Sequence, residues 1–111
     1  MDKPPVPVTA RCPVRTALEL LGGKWKLLIL YQLEQSPARL SALKARIPDI
    51  SEKMLIQELK VMVDSGLVHR KNFGEVPPRV EYRLTEKGRL AMPVIAACRA
   101  FGQAYVRGLR E

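Results

Sequence analysis

Apolar positions along the chain follow two rhythms, and the change from one to the other divides it. Through the first half they recur every three or four residues, the spacing of one helical face: Val14, Ala17, Leu18 and Leu21, then Trp25, Leu28, Ile29 and Leu33, then Leu40, Leu43 and Ile47, then Leu55, Leu59 and Met62. The punctuation between these sets predicts four helices. Pro13 suits a first helical turn, where its missing N–H costs nothing, and Gly22 with Gly23 ends that helix. The second runs from Lys24 to about Gln35, with Leu27 and Leu30 widening its stripe until little polar surface remains, which predicts a central place in the core. Ser36 and Pro37 break it, and the short third helix stops before Pro48. The fourth is the most fully punctuated. Ser51 is a natural N-cap, Ile50 and Leu55 stand where a hydrophobic staple closes, and Gly66 fits the left-handed position from which Leu67 packs back on Met62.

Beyond Gly66 the period falls to two. Val68 to Phe73 and Arg79 to Leu84 alternate as strands, with Val80, Tyr82 and Leu84 facing one way and Arg79, Glu81 and Arg83 the other. Gly74, Pro77 and Pro78 make the connection longer than a two-residue hairpin, so the pair reads as an antiparallel ribbon with a projecting tip. Thr85 then caps a final helix carrying Leu90, Val94, Ala97, Cys98, Phe101 and Tyr105 along one side, which Pro93 must kink or restart. Ala96, Ala97, Ala100, Gly102 and Ala104 let another helix approach closely, and a second subunit is the simplest cover for so apolar a terminal helix. Residues 1–11, with Pro4, Pro5 and Pro7 among small and charged residues, read as a flexible arm ahead of one domain over residues 12–111. The fold class is mainly α (α+β).

Composition narrows the partners. In 111 residues, 19 Lys and Arg against 11 Asp and Glu leave a net charge of +8, which points to a polyanion, either nucleic acid or an anionic membrane surface. The longest apolar run, Leu27 to Tyr31, is far short of the roughly 20 residues that cross a bilayer, and no signal-peptide pattern opens the chain. A cytoplasmic protein with no membrane partner is expected. Cys12 and Cys98 have neither redox nor zinc spacing and read as thiols, Cys98 as a small hydrophobe within the last apolar stripe. His69 has no ligand-spaced companion, and no phosphate loop, nucleophile elbow or carboxylate pair stands out. The expectation is no enzyme, no metal and no cofactor.

Three helices, a well-capped fourth with a basic polar face and then a basic ribbon is the order of a winged helix-turn-helix, its paired helices at Leu40–Ile47 and Ser51–Ser65. The second of the pair would enter the major groove. Gln57 can pair with adenine through two hydrogen bonds, Lys53 can donate to guanine or phosphate, Glu52 can accept from cytosine, Ser51 is spent on its own cap, and Lys60 meets the backbone. On the ribbon Arg70, Lys71, Arg79 and Arg83 bracket the tip, where cations reach phosphates or the minor groove. Two plainer readings stand beside these. A helix with one polar face is often only solvated, and cations on a ribbon edge also guard against strand aggregation. A winged-helix protein-interaction module and a thiol-based redox protein remain as rival classes.

The motifs themselves resemble a known family. Cys12–Pro13, Gly22–Gly23–Lys24–Trp25, Ile50–Ser51, Lys53–Met54–Leu55, Leu59 and Gly66–Leu67–Val68 with Arg70 look like the HxlR-type winged helix-turn-helix regulators. The match continues through Val76–Pro77–Pro78–Arg79–Val80–Glu81–Tyr82, Leu84–Thr85 and Gly88, covering nearly the whole chain after the arm. The resemblance implies a sequence-specific regulator of transcription, a homodimer joined through its N-terminal helix and a C-terminal dimerisation helix at about residues 89–108, with two recognition helices one DNA turn apart. Phe101 and Gly102 stand where members often carry a tryptophan. Some similar regulators sense oxidants or electrophiles through a cysteine at the position of Cys12, where Arg11, Arg15 and a helix N-terminus would favour the thiolate. An oxidant or small-molecule effector is the corresponding partner, acting on the separation of the recognition helices.

Overall fold

The computed structural model describes residues 12–109, so the expected arm lies outside the described residues. Helix α1 spans Pro13–Leu21, with Cys12 as an extended N-cap and Pro13 in its first turn. Gly23 then takes a φ of 102° and Trp25 serves as the next N-cap, so α2 spans Lys26–Gln35 and starts two residues later than the apolar spacing predicts. Ile29, Leu30 and Leu33 bury its inner side. Leu28, expected on that side, is 44% exposed, because the stripe is wider than the body it packs against.

Helices α3 (Leu40–Arg46) and α4 (Glu52–Asp64) follow, joined by a tight connection through Pro48. The staple closes as expected, with Ile50 and Leu55 both buried, and Leu55, Leu59 and Met62 seat α4 on the core. At the other end Gly66, at φ 81°, lets its own N–H reach the Val63 carbonyl at 3.1 Å. The Leu67 N–H reaches Met62 at 2.9 Å, which satisfies the last carbonyls of the helix.

Strands β1 (Val68–Asn72) and β2 (Val80–Leu84) pair antiparallel, from Val68 opposite Leu84 to Asn72 opposite Val80. The Phe73 N–H continues the ladder to the Arg79 carbonyl at 3.0 Å. Ala38 adds a third, one-residue strand, exchanging hydrogen bonds of 2.9 and 2.8 Å with Tyr82. That strand locks the start of α3 to the ribbon, and it is too short to leave any period in the sequence.

Of the kink and the restart that Pro93 allows after Thr85, the chain takes the restart, so two helices follow. Thr85 caps a four-residue α5 (Glu86–Arg89), its hydroxyl accepting from the Gly88 N–H at 3.0 Å and donating to the Gly66 carbonyl. The chain turns through Leu90 and Ala91, and α6 (Met92–Leu109) starts afresh with Pro93 in its first turn, where no N–H is needed. Met92 and Ile95 lean on the core, and Arg99 donates to the Tyr31 hydroxyl with its guanidinium 5.0 Å from the ring centre. No residue of α6 is fully buried. Cys98, expected to behave as a small hydrophobe, is an exposed thiol.

Candidate nucleic-acid interface

The presentation of α4 follows from its two ends. Ser51 accepts the Met54 N–H at 3.1 Å, so its side chain is committed to the cap, as expected. With Leu55, Leu59 and Met62 turned inward, helical geometry turns Lys53, Gln57, Lys60 and Asp64 outward, and all four are exposed. Glu52, also exposed, lies in the first turn, where the helix dipole favours a carboxylate.

The flanks of this face differ. On one, Lys26 of α2 donates to Glu58 at 2.8 Å, with side chains only 14% and 13% exposed. This ion pair, which helical spacing alone does not reveal, ties α4 to the start of α2. On the other flank Ile56 and Val63 look toward the ribbon, and Ile56 stays 48% exposed. Neither residue is among the sequence-predicted site residues, since a lone exposed isoleucine carries no signal.

The ribbon cations divide by register. Arg70 lies opposite Tyr82, on the face whose Val68 and Leu84 enter the core, and so projects toward α4. Lys71 and Arg83 share the opposite face. Arg79 stacks its guanidinium 3.9 Å from the Phe73 ring centre, and its Nε is buried without a hydrogen-bond partner among the described residues. Lys71 also lies over Phe73, at 4.7 Å. At the tip, Asn72 accepts the Gly74 N–H at 2.9 Å and Gly74 takes a φ of 70°, which turns the chain.

Lys53, Gln57, Lys60, Arg70 and Arg83 have no hydrogen bond or ion pair among the described residues. Elsewhere the protein does pair or tether cations: Lys26 with Glu58, Arg15 with Glu19 at 3.5 Å, Lys44 on the Pro48 carbonyl. Lys53, Lys60, Arg70 and Arg83 thus form a group of bare cations on α4 and the adjoining ribbon, while Arg39, Lys87, Arg89 and Arg107 are bare elsewhere. Cys12 lies apart on α1, exposed, its thiol making no cap hydrogen bond. Arg15, expected to act on that thiol, is paired along its own helix instead, and Arg11 lies outside the described residues. His69 is exposed at the start of β1, and the described residues form no cluster of three metal-ligating side chains.

Comparison with known proteins places this geometry in context. Residues 20–109 match the model of the HxlR-like helix-turn-helix family. A helix-turn-helix type transcriptional regulator of Bacillus subtilis (strain 168), YkvN, is 46% identical over 94 residues, covering 85% of this chain and 80% of that protein. Among solved structures, a protein from Porphyromonas gingivalis W83 assigned to the MarR family of transcriptional regulators is similar at a TM-score of 0.80 with 46% identity, covering 86% of this chain and 93% of that one. The redox regulator HypR in its oxidized form is similar at a TM-score of 0.78 with 35% identity, covering 84% and 96%.

Proposed function

The chain belongs to the HxlR-like helix-turn-helix family, and from that premise we propose that it acts in the cytoplasm as a homodimer that binds specific sites on double-stranded DNA. It is a transcriptional regulator and not an enzyme. The observation that carries the DNA reading is the bare polar face of α4 beside the bare cations of the ribbon. A merely solvated helix needs no second cationic element aligned with it.

In this reading α4 enters the major groove, which at about 12 Å is wide enough for a helix. Gln57 bonds adenine through its amide, Lys53 donates to guanine or a phosphate, Glu52 accepts from cytosine, and Lys60 holds a phosphate. Arg70, Lys71 and Arg83 neutralise phosphates beside the site. Arg79, stacked on Phe73, stiffens the ribbon that presents them. Exposed Val14 and Leu18 of α1 and Phe101, Tyr105 and Leu109 of α6 supply the contact between two copies.

Selection of duplexes from a random pool by the purified protein tests this directly, followed by titration of the selected and a scrambled duplex. Gln57→Ala is expected to lower affinity for the selected duplex alone, by about 1–3 kcal/mol. Arg83→Ala should weaken both duplexes similarly and flatten the salt dependence. Recovery of no preferred sequence, or identical profiles for the two variants, would overturn the assignment.

The similarity to a redox regulator and the exposure of Cys12 favour one refinement, an oxidant response. A hydroperoxide takes two electrons from the Cys12 thiol, leaving a sulfenic acid and releasing the reduced alcohol or water. Cys12→Ser is expected to keep DNA affinity unchanged on peroxide treatment, while the wild type changes. An equal response in both proteins removes Cys12 from the role.

A further inference from the structure

Helix α6 leaves the body of the protein early. Met92 and Ile95 pack against the core, and every residue after Ile95 up to Leu109, Gly102 aside, is exposed. Arg99 is the farthest residue along α6 with a hydrogen bond to another element among the described residues. It donates to the Tyr31 hydroxyl of α2, and its guanidinium lies 5.0 Å from the centre of that ring. A cation over an aromatic face adds attraction to the hydrogen bond, and the planar guanidinium gives the pair a fixed direction. Beside this contact Leu27, Leu28, Tyr31, Ile95, Cys98 and Arg99 line a cleft of about 280 Å³. Packing between α2 and α6 is therefore incomplete where the two helices part, and the Arg99–Tyr31 contact closes the joint across that gap.

The same α2 also anchors α4. Lys26, in its first turn, pairs with Glu58 of α4 at 2.8 Å, and Tyr31 lies little more than one turn farther along. One helix thus holds both the polar helix that faces outward and the helix that departs from the body. The departing helix is a long lever. From Met92 to Leu109 it extends about 26 Å, so a tilt of about 10° at its start displaces its far end by about 4–5 Å. Phe101, Tyr105 and Leu109, which supply the contact between copies, all lie beyond Arg99. A change of tilt would swing each body, with the α4 it carries, by a comparable distance, whereas one base pair advances a duplex by only about 3.4 Å.

We propose that Arg99 and Tyr31 are positioning residues whose contact sets the tilt of α6 on α2 and so selects the separation of half-sites that two copies bind. The inference rests on the homodimeric, DNA-binding reading above and adds to it the contact that fixes the spacing. Neither residue touches DNA, so the affinity of one α4 for one half-site does not depend on them. Met92 and Ile95 keep α6 attached without the latch, but they form a short patch at one end of the lever.

The first arm of the test needs no DNA. A nitroxide on Lys53→Cys, in the full chain with Cys12→Ser and Cys98→Ser, reports the distance between the two α4 helices of a dimer by double electron–electron resonance. Arg99→Ala keeps α6 helical, since alanine is the better helix former. It is expected to leave the dimer intact on sedimentation and to at least double the width of the distance distribution. Tyr31→Phe keeps the ring and loses only the hydroxyl, so its width should fall between those of wild type and Arg99→Ala. Arg107→Ala removes an equal charge farther along the same helix and should change nothing. An unchanged distribution in Arg99→Ala, or an Arg107→Ala effect of the same size, overturns the latch. A wild type that gives no distance between copies overturns it together with the dimer.

The second arm titrates duplexes carrying two selected half-sites whose centres are moved apart or together one base pair at a time. Wild type is expected to lose about tenfold in affinity per step from the optimum, because each step also rotates one half-site by about 34–36°. Arg99→Ala should lose about threefold or less per step, with affinity for a single half-site within about twofold of wild type. A general loss of stability does not produce that split. Equal spacing profiles for the two proteins overturn the proposal. A broadened distance distribution in a protein that selects no duplex sustains the latch and removes the DNA reading instead.

Discussion

Lys26 and Glu58 show what a single contact contributes to the face that meets a partner. Their pair, at 2.8 Å and about six-sevenths shielded, lies at the junction of α2 and α4, beneath one flank of the polar face. An exposed ion pair is worth about 0–1 kcal/mol, but removing one partner of a buried pair costs about 3–5 kcal/mol because the other charge is left uncompensated. Lys26→Met is therefore expected to cost about 3 kcal/mol in urea unfolding, the low end of that range, since both groups keep slight solvent contact. Adding Glu58→Leu should restore most of the loss, because it removes the stranded carboxylate. A single variant within about 0.5 kcal/mol of wild type would place this pair among surface pairs. The sequence reading did not include it. Both residues are ordinary charges on amphipathic helices, 32 positions apart, and only the packing of α2 on α4 brings them together. The stacking of Arg79 is hidden for a related reason: alternation gives the side of the strand it occupies, but not that Phe73 takes up its guanidinium.

At the scale of elements, local punctuation proved most legible. The cap at Ser51, the staple of Ile50 with Leu55 and the left-handed exit at Gly66 are each decided by neighbours a few residues away, and all three stand where the sequence puts them. The final helix was less legible because Pro93 is compatible with a kink or a restart, and tertiary packing chose between them. Gly88 is the reason. It is buried, and a Cβ there would collide with the Leu67 carbonyl oxygen and lie 3.2 Å from Leu84, so α5 must press directly on the start of the ribbon before α6 can leave. Gly88→Ala, although it favours helix locally, is expected to destabilise the protein by about 2–3 kcal/mol, since backbone cannot yield as a flexible side chain would. Urea unfolding would register the loss, and hydrogen exchange should quicken first at Leu67 and Thr85. If alanine is neutral or stabilising, the close approach of α5 to the ribbon does not matter for the fold.

For the whole molecule, the decisive question is why so much apolar surface stays outside the core. Val14 is 69% exposed, Leu18 65%, Phe101 72% and Leu109 70%, on the first and last helices, while the core between them is complete without them. Leaving such groups in water gives a lone chain no benefit, whereas a second copy would remove them from solvent at about 25 cal/mol per Å². The period of α1 and α6 made Val14, Leu18 and Phe101 visible in the sequence, though not Leu109, and it did not show which of them the chain's own body would cover. Phe101→Glu tests the inference with little risk to folding, because Phe101 packs chiefly on Tyr105 of its own helix, 6.2 Å between ring centres. A glutamate there would have to be buried twice in a two-fold interface, each time without a partner. Sedimentation is expected to show a dimer for the wild type and a monomer for the variant, with unchanged circular dichroism. The variant should lose on the order of a hundredfold in affinity for a duplex with two half-sites, because the second half-site is no longer reached intramolecularly. A duplex with one half-site should distinguish the two proteins far less. Were Phe101→Glu to remain dimeric, the contact would lie elsewhere. Were it monomeric yet fully active on the paired site, each chain would read DNA alone, and the separation of two α4 helices could not be the quantity an effector controls.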